Sequence, residues 1–446
     1  MEKKPRVVFT RTRHPEASPK SFTFTRDMLP VEGISDYRLR AWDTFNRLAF
    51  PTTREEAWRR TNLHSLPADQ FRLPFEKEYE RLPAIPKTLL RPLITGQHGG
   101  QVVMLPGGQR ALLDPALEKK GVIFTDLGAA NRGHSHLVSS LAGMTVQPEE
   151  SKFAALAGAL AQNGILLYVP KGLHIKRPLH SILWGPGAYL AYLSHILIFV
   201  DEGASVTYVH ESASPDLPNA HTFHAGIVEV KVAEGASLRF IELQSWGHHV
   251  WNFTHERVQV MQDGNLDWIY GVVGSRLTKS FSDLDLIGEG ATGRISGFYF
   301  ADGMQHLDLD TQQNHLVPHT TSDLLYKGAL KGSSRSVWQG MIYVAPGAQK
   351  TDGYQANRNL VLSPGARADS IPGLEILADD VRCTHGTTVG KLEEEPLFYL
   401  KSRGIPEPDA QRLMVEGFFD PIMQRIPYGG VRGRFQEIIR QKLVGK

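Results

Sequence analysis

Between Ser35 and Phe50 the apolar positions Leu39, Trp42, Phe45, Leu48 and Ala49 fall at helical spacing, which predicts an amphipathic helix. Pro51 interrupts it, and Thr53-Arg-Glu-Glu56 has the form of a capping box that opens a short helix through Trp58. A further helix is predicted over Ser151 to Asn163, with Phe153, Leu156, Ala157 and Leu160 on one face and Gly164 as its C-terminal stop. Residues 1–164 therefore read as a mixed, largely helical region.

The period changes near Leu166. From there to Gly390 short runs alternate in the manner of strands: Val206, Tyr208 and His210 against Ser205, Thr207 and Val209, and Leu266, Trp268 and Tyr270 against Asn265, Asp267 and Ile269. Similar turns end at Gly172, Gly203, Gly235, Gly264, Gly290, Gly347 and Gly365, most of them roughly thirty residues apart. A single coil of that size cannot bury its apolar face, so coils have to stack. The expected fold is mainly β, with a right-handed parallel β-helix core over residues 165–390 flanked by helical N-terminal and C-terminal regions. A propeller would need longer and more regular units; an irregular β-sandwich is the competing arrangement. Residues 391–446 are helical again. Glu393 to Arg403 is ended by Gly404, Pro408 opens a helix carrying Leu413, Met414 and Phe418, and after Pro421 and Pro427 comes a segment with Val431, Phe435, Ile438, Ile439 and Leu443. Three such helices cannot form a core alone and must pack on the β body or on another protein.

Composition narrows the function classes. The 446 residues are 41% hydrophobic and 22% charged, ordinary for a globular protein. A formal charge of +2, from 49 basic and 47 acidic residues, gives no electrostatic case for nucleic acid or an anionic membrane. No apolar run approaches the ~20 residues that span a bilayer, and the charged N-terminus lacks the apolar core of a secretory signal. One cysteine cannot form an internal disulfide, so a reducing, cytoplasmic setting is expected.

The sequence has no Gly-x-x-x-x-Gly-Lys-Ser/Thr loop, no His-Glu-x-x-His and no Gly-x-Ser-x-Gly, so nucleotide hydrolysis, zinc proteolysis and serine hydrolysis are not expected. Asp283 with Asp285, and Asp308 with Asp310, alternate along strands. They suit a solvated strand face, or the paired carboxylates of a carbohydrate-active β-helical enzyme. His134 and His136 decorate a loop, His306, His315 and His319 read as strand-edge or interface residues, and Trp246, His248, His249 and Trp251 mark a crowded corner. Cys383 and His385 lie two residues apart, so in a strand both side chains share a face. Thiolate and imidazole suit soft or borderline metals, but two ligands do not close a site. A lone cysteine is equally at home as a buried structural residue.

The stretch Asp379 to Gly390, Asp-Asp-Val-Arg-Cys-Thr-His-Gly-Thr-Thr-Val-Gly, is followed by Leu-Phe-Tyr-Leu-Lys-Ser-Arg-Gly-Ile and Gly-Phe-Phe. This region resembles the C-terminal part of the SufB/SufD family of iron–sulfur cluster assembly proteins. The resemblance continues through Asn359 to Asp369 and in the N-terminal stretch Pro51 to Leu63. SufB-type scaffolds carry a cysteine in a Thr-Gln-Cys-Asp-like stretch, where Asn357 is the nearest counterpart here. Gly386 stands in place of the acidic residue of their His-Glu-Ala-Thr stretch, so the pattern looks like the SufD branch. The resemblance implies the β-helix and a non-enzymatic scaffold without catalytic residues or a permanently bound cofactor. It places iron or a nascent iron–sulfur cluster transiently at His385, with Cys383 as a second ligand, in a site shared with a SufB-type subunit at the β-helix end. It further implies a SufC-type ATPase on the C-terminal helices and a homodimer when the chain is isolated.

Overall fold

A computed structural model describes residues 19–30, 35–91, 98–426 and 428–444; Pro427 and the extreme N-terminus lie outside the described residues. From Asn163–Val169 onward, consecutive strands alternate between two sheets, one of ten strands and one of nine. Along the first sheet Ser205–Ala213, Ser237–Ser245, Asn265–Val272, Thr292–Ala301, Thr321–Leu330, Asp352–Val361 and Arg382–Gly390 pair in parallel, each with the strand one coil before it. The second sheet runs likewise from Asn163–Val169 to Arg367–Ile376. This is the expected parallel β-solenoid.

Stacking follows from the register. Tyr208, Phe240 and Trp268 occupy equivalent positions on successive coils, and their rings stack with centroids 5.5 and 5.8 Å apart. Val200, Val232, Val260 and Leu286 make a matching apolar column on the other sheet, so burial repeats with every coil. The corners need left-handed backbone, which Gly172, Gly203, Gly235, Gly290 and Gly347 supply with φ of 62–81°. In the long interval between Gly290 and Gly347 the equivalent corner is made by His319, with φ 58°, while Gly303 and Gly332 turn the chain on the opposite side. At Gly264 the strained position is Asp263, with φ 50°, instead of the glycine.

The helices cover the outer faces. The helix Ser35–Arg47, the segment through Trp58 and the helix Lys152–Leu160 pack on the second sheet, where Trp42, Phe45, Trp58 and Phe153 meet Phe223, Trp251 and Phe253. The helices Glu407–Met423 and Gly429–Val444 cover the first sheet, burying Val415, Phe419, Ile422, Phe435 and Ile439 against Ile241, Ile269 and Phe298. No helix among the described residues is long and apolar enough to cross a membrane.

Several local expectations are corrected. The short helix after Pro51 is a 3-10 turn, Glu56–Trp58, and Glu55 accepts from the Thr52 backbone N–H, one position off the expected capping box. Gly164 ends no helix: it lies in the strand Asn163–Val169, where a Cβ would sit 2.4 Å from the His195 carbonyl oxygen. The helix through Pro421 continues to Met423. Within the N-terminal region the hairpin Gly100–Leu105 and Gly108–Leu113, and the strand Ile123–Asp126, join the sheets and close that end of the solenoid. The opposite end is open, with Arg382–Gly390 and Arg367–Ile376 as edge strands.

Candidate functional site at the open end of the solenoid

Arg382–Gly390 is the last strand of its sheet, in register with Asp352–Val361 so that Cys383 lies beside Gly353 and His385 beside Gln355. On the neighbouring strand Gly353, Gln355, Asn357 and Asn359 are all buried in the solenoid interior. Cys383 and His385 therefore extend an inward-facing row past the point where the coils stop covering it. His385 is exposed, as are all the residues after it in the strand.

Cys383 is half-buried against Ile342, Val344 and Ala348. Burial pushes its thiol above the ordinary range, the Gly353 backbone N–H offsets part of the rise, and the Asp352 carboxylate adds to it. A Cβ at Gly353 would lie 3.3 Å from the Cys383 sulfur and 3.4 Å from His315 Nε2. The missing side chain thus leaves thiol and imidazole facing each other across the glycine. His315 is fully buried, correcting its reading as a strand-edge residue. Its ring bonds Thr320 (2.7 Å) and Ser322 (2.8 Å), and burial holds it down to about 4. Among the described residues no group of three or more His, Cys, Asp or Glu side chains is placed to hold a metal ion. Cys383 and His385 are brought onto one face, and the described residues offer them no third ligand there.

The acidic pairs are not solvated. Asp308 is fully buried, Lys279 Nζ binds it at 3.0 Å and Asp310 at 2.9 Å, and the Thr61 hydroxyl donates to Asp308. Asp283 is held by Arg257, which also binds Glu150 at 2.8 Å. Each pair shares a cation beneath the N-terminal segment, an arrangement that favours structure over glycoside chemistry. His134 and His136 are exposed; His134 caps the short helix Ser135–Leu141 and His136 lies within it, correcting its reading as a loop residue.

The polar interior escaped sequence reasoning. Ser181 bonds His210 at 2.8 Å, His224 bonds Asn252 at 2.6 Å, and Glu242 and Glu256 lie together with burial raising both carboxyls. Towards the open end the row continues through Tyr299, Asn357 and Asn359. The signal is polar residues at the inward phase of strand alternation, readable only once the register is known.

Comparison with known proteins places this architecture. A family model described as the SUF system FeS cluster assembly, SufBD core domain, matches residues 185–418, and one described as the SufBD protein N-terminal region matches residues 29–180. A curated relative from Staphylococcus epidermidis, named iron-sulfur cluster assembly SufBD family protein, is 32% identical over 318 residues, covering 71% of this chain and 68% of its own. Relatives of the same family name from Staphylococcus haemolyticus and Staphylococcus aureus match to the same extent. The chain belongs to the SufBD family of iron–sulfur cluster assembly proteins.

Proposed function

We propose that this chain is a SufD-type, non-enzymatic scaffold subunit that works in the cytoplasm and contributes half of an assembly site for iron or a nascent cluster. The observation that carries the reading is the pairing of His385 and Cys383 on an open edge strand without a third ligand among the described residues. Iron and cluster are cargo in this reading, and a SufB-type subunit supplies the remaining ligands, its principal thiolate among them. Asn357, buried between Tyr299 and Ser370, supports the SufD assignment, because this interior position offers no thiol.

Edge strands present unpaired backbone N–H and C=O groups, which a partner's strands can complete. Arg382–Gly390 and Arg367–Ile376 offer two such edges at one end, where the SufB-type subunit docks, or a second copy when the chain is isolated. The helix Glu394–Ser402 buries none of its residues and exposes Phe398 and Tyr399. With Leu413, 42% exposed on the next helix, these apolar side chains form the surface for a SufC-type ATPase. Nucleotide-driven movement of that subunit would open or close the SufB-type interface as a hinge.

The test is co-expression with SufB-type and SufC-type subunits, followed by purification and iron analysis. His385→Ala is expected to leave the complex assembled and remove its bound iron and cluster-forming activity. Unchanged iron and activity would refute the assigned role.

A further inference from the structure

The N-terminal stretch Pro51 to Leu63 also frames a solenoid corner where strands of the second sheet begin. Trp58 buries its ring beside Phe153, Phe253 and Phe281, and Thr61 bonds His306 at 2.7 Å. With Trp58 and Thr61 fixed, Arg60 and Asn62 border a cavity of about 350 Å³ over the corner where strands of the second sheet begin. From the β body come Trp251, Arg276, His248, His306 and Arg335, the last two in register on successive coils. The lining holds three arginines and no carboxylate.

The three guanidinium groups are not equally committed. Arg335 binds Asp369 at 2.8 Å, and Arg60 lies 3.8 Å from Glu56 and 3.4 Å from Gln339. Arg276 has no carboxylate partner among the described residues; its guanidinium lies over the Trp251 ring, 5.4 Å from the centroid. His248 sits between Asp216 (3.2 Å) and Asp302 (3.1 Å). In a chain of near-neutral total charge, this is a concave cluster of cations with one uncompensated arginine and an aromatic floor. Guanidinium groups bind carboxylate and phosphate oxygens through paired N–H donors, and the cavity falls in the range of small-molecule sites.

We infer that this corner is a binding site for a small, multiply charged oxyanion, a phosphate ester or polycarboxylate, gripped by Arg276, Arg60 and Arg335. The grip uses neither His385 nor Cys383.

The test is calorimetric titration of the full chain at low salt with inorganic pyrophosphate and, separately, with citrate. At least one probe is expected to bind with one-to-one stoichiometry and to weaken as salt is raised. The probe that binds identifies phosphate or carboxylate as the recognised group. Arg276→Ala, which removes an exposed side chain outside the core, is expected to weaken binding about tenfold or more. Arg294→Ala, at an exposed arginine on another part of the solenoid, is expected to leave it unchanged. Absence of binding for both probes at millimolar concentration, or equal affinity in Arg276→Ala and the parent, would overturn the inference.

Discussion

Cys383 and His385 share one face of one strand, yet their surroundings give them different work. The thiol is packed against Ile342, Val344 and Ala348 and raised by burial, whereas the imidazole projects beyond the last covered coil. In the assembled complex Cys383→Ser is therefore expected to retain most of the iron that His385→Ala loses, measured as iron per complex. Equal losses would make the cysteine an equivalent ligand. Lys279 has a structural role that is as sharply defined: it is fully buried and binds both Asp308 and Asp310. Lys279→Met strands two carboxylates and should cost about 3–5 kcal/mol in urea unfolding. The sequence showed the Cys383–His385 pair and the two Asp pairs as spacings. It could not show which carboxylates were neutralised, because Lys279 and Arg257 reach them across neighbouring coils.

At the scale of elements, the C-terminal helices divide into a covered pair and an exposed one. Phe419 is fully buried beside Phe298, with ring centroids 6.3 Å apart, while Phe398 on the preceding helix is 73% exposed. Phe419→Ala is expected to destabilise the chain by about 3–5 kcal/mol through the cavity it leaves. Replacing Phe398 and Tyr399 together by Ala should leave the unfolding midpoint unchanged and abolish capture of a SufC-type ATPase in a pull-down; retained capture would remove that helix from the interface. These elements were legible because helical period and strand alternation survive in the sequence. The 57-residue interval between two glycine corners was not, since the equivalent corner between them is made by His319 without glycine. The hairpin Gly100–Leu113 was also missed; beyond its own pairing it is held by one strand, Leu179–Trp184, well along the chain.

Across the whole molecule, the polar interior makes stability depend on pH. Burial holds His98, His224, His306 and His315 down to about 4, and His210 and His255 to about 3. Between about pH 4 and 6.5 these groups are neutral when folded and bind protons when unfolded, so the unfolding free energy rises with pH in that window. Asp283, raised to about 6, Glu256 and Asp310, raised to about 7, and Glu242, raised well above the ordinary carboxyl range, act in the opposite sense, because each holds a proton in the folded state that the unfolded chain has released. The histidines outnumber them, so the urea midpoint is expected to fall between pH 6.5 and pH 5; a rise would mean that the carboxyls dominate.

The same architecture closes one end of the solenoid with a hairpin and leaves the other open, and the role proposed for that open edge is to supply part of a ligand set that a partner completes. Its most direct test is anaerobic iron titration of the isolated chain, of its complex with SufB-type and SufC-type subunits, and of that complex carrying His385→Ala. The account predicts stoichiometric iron in the parent complex alone, with none retained by the isolated chain or by the variant complex. Iron bound by the isolated chain, or undiminished in the His385→Ala complex, would contradict it.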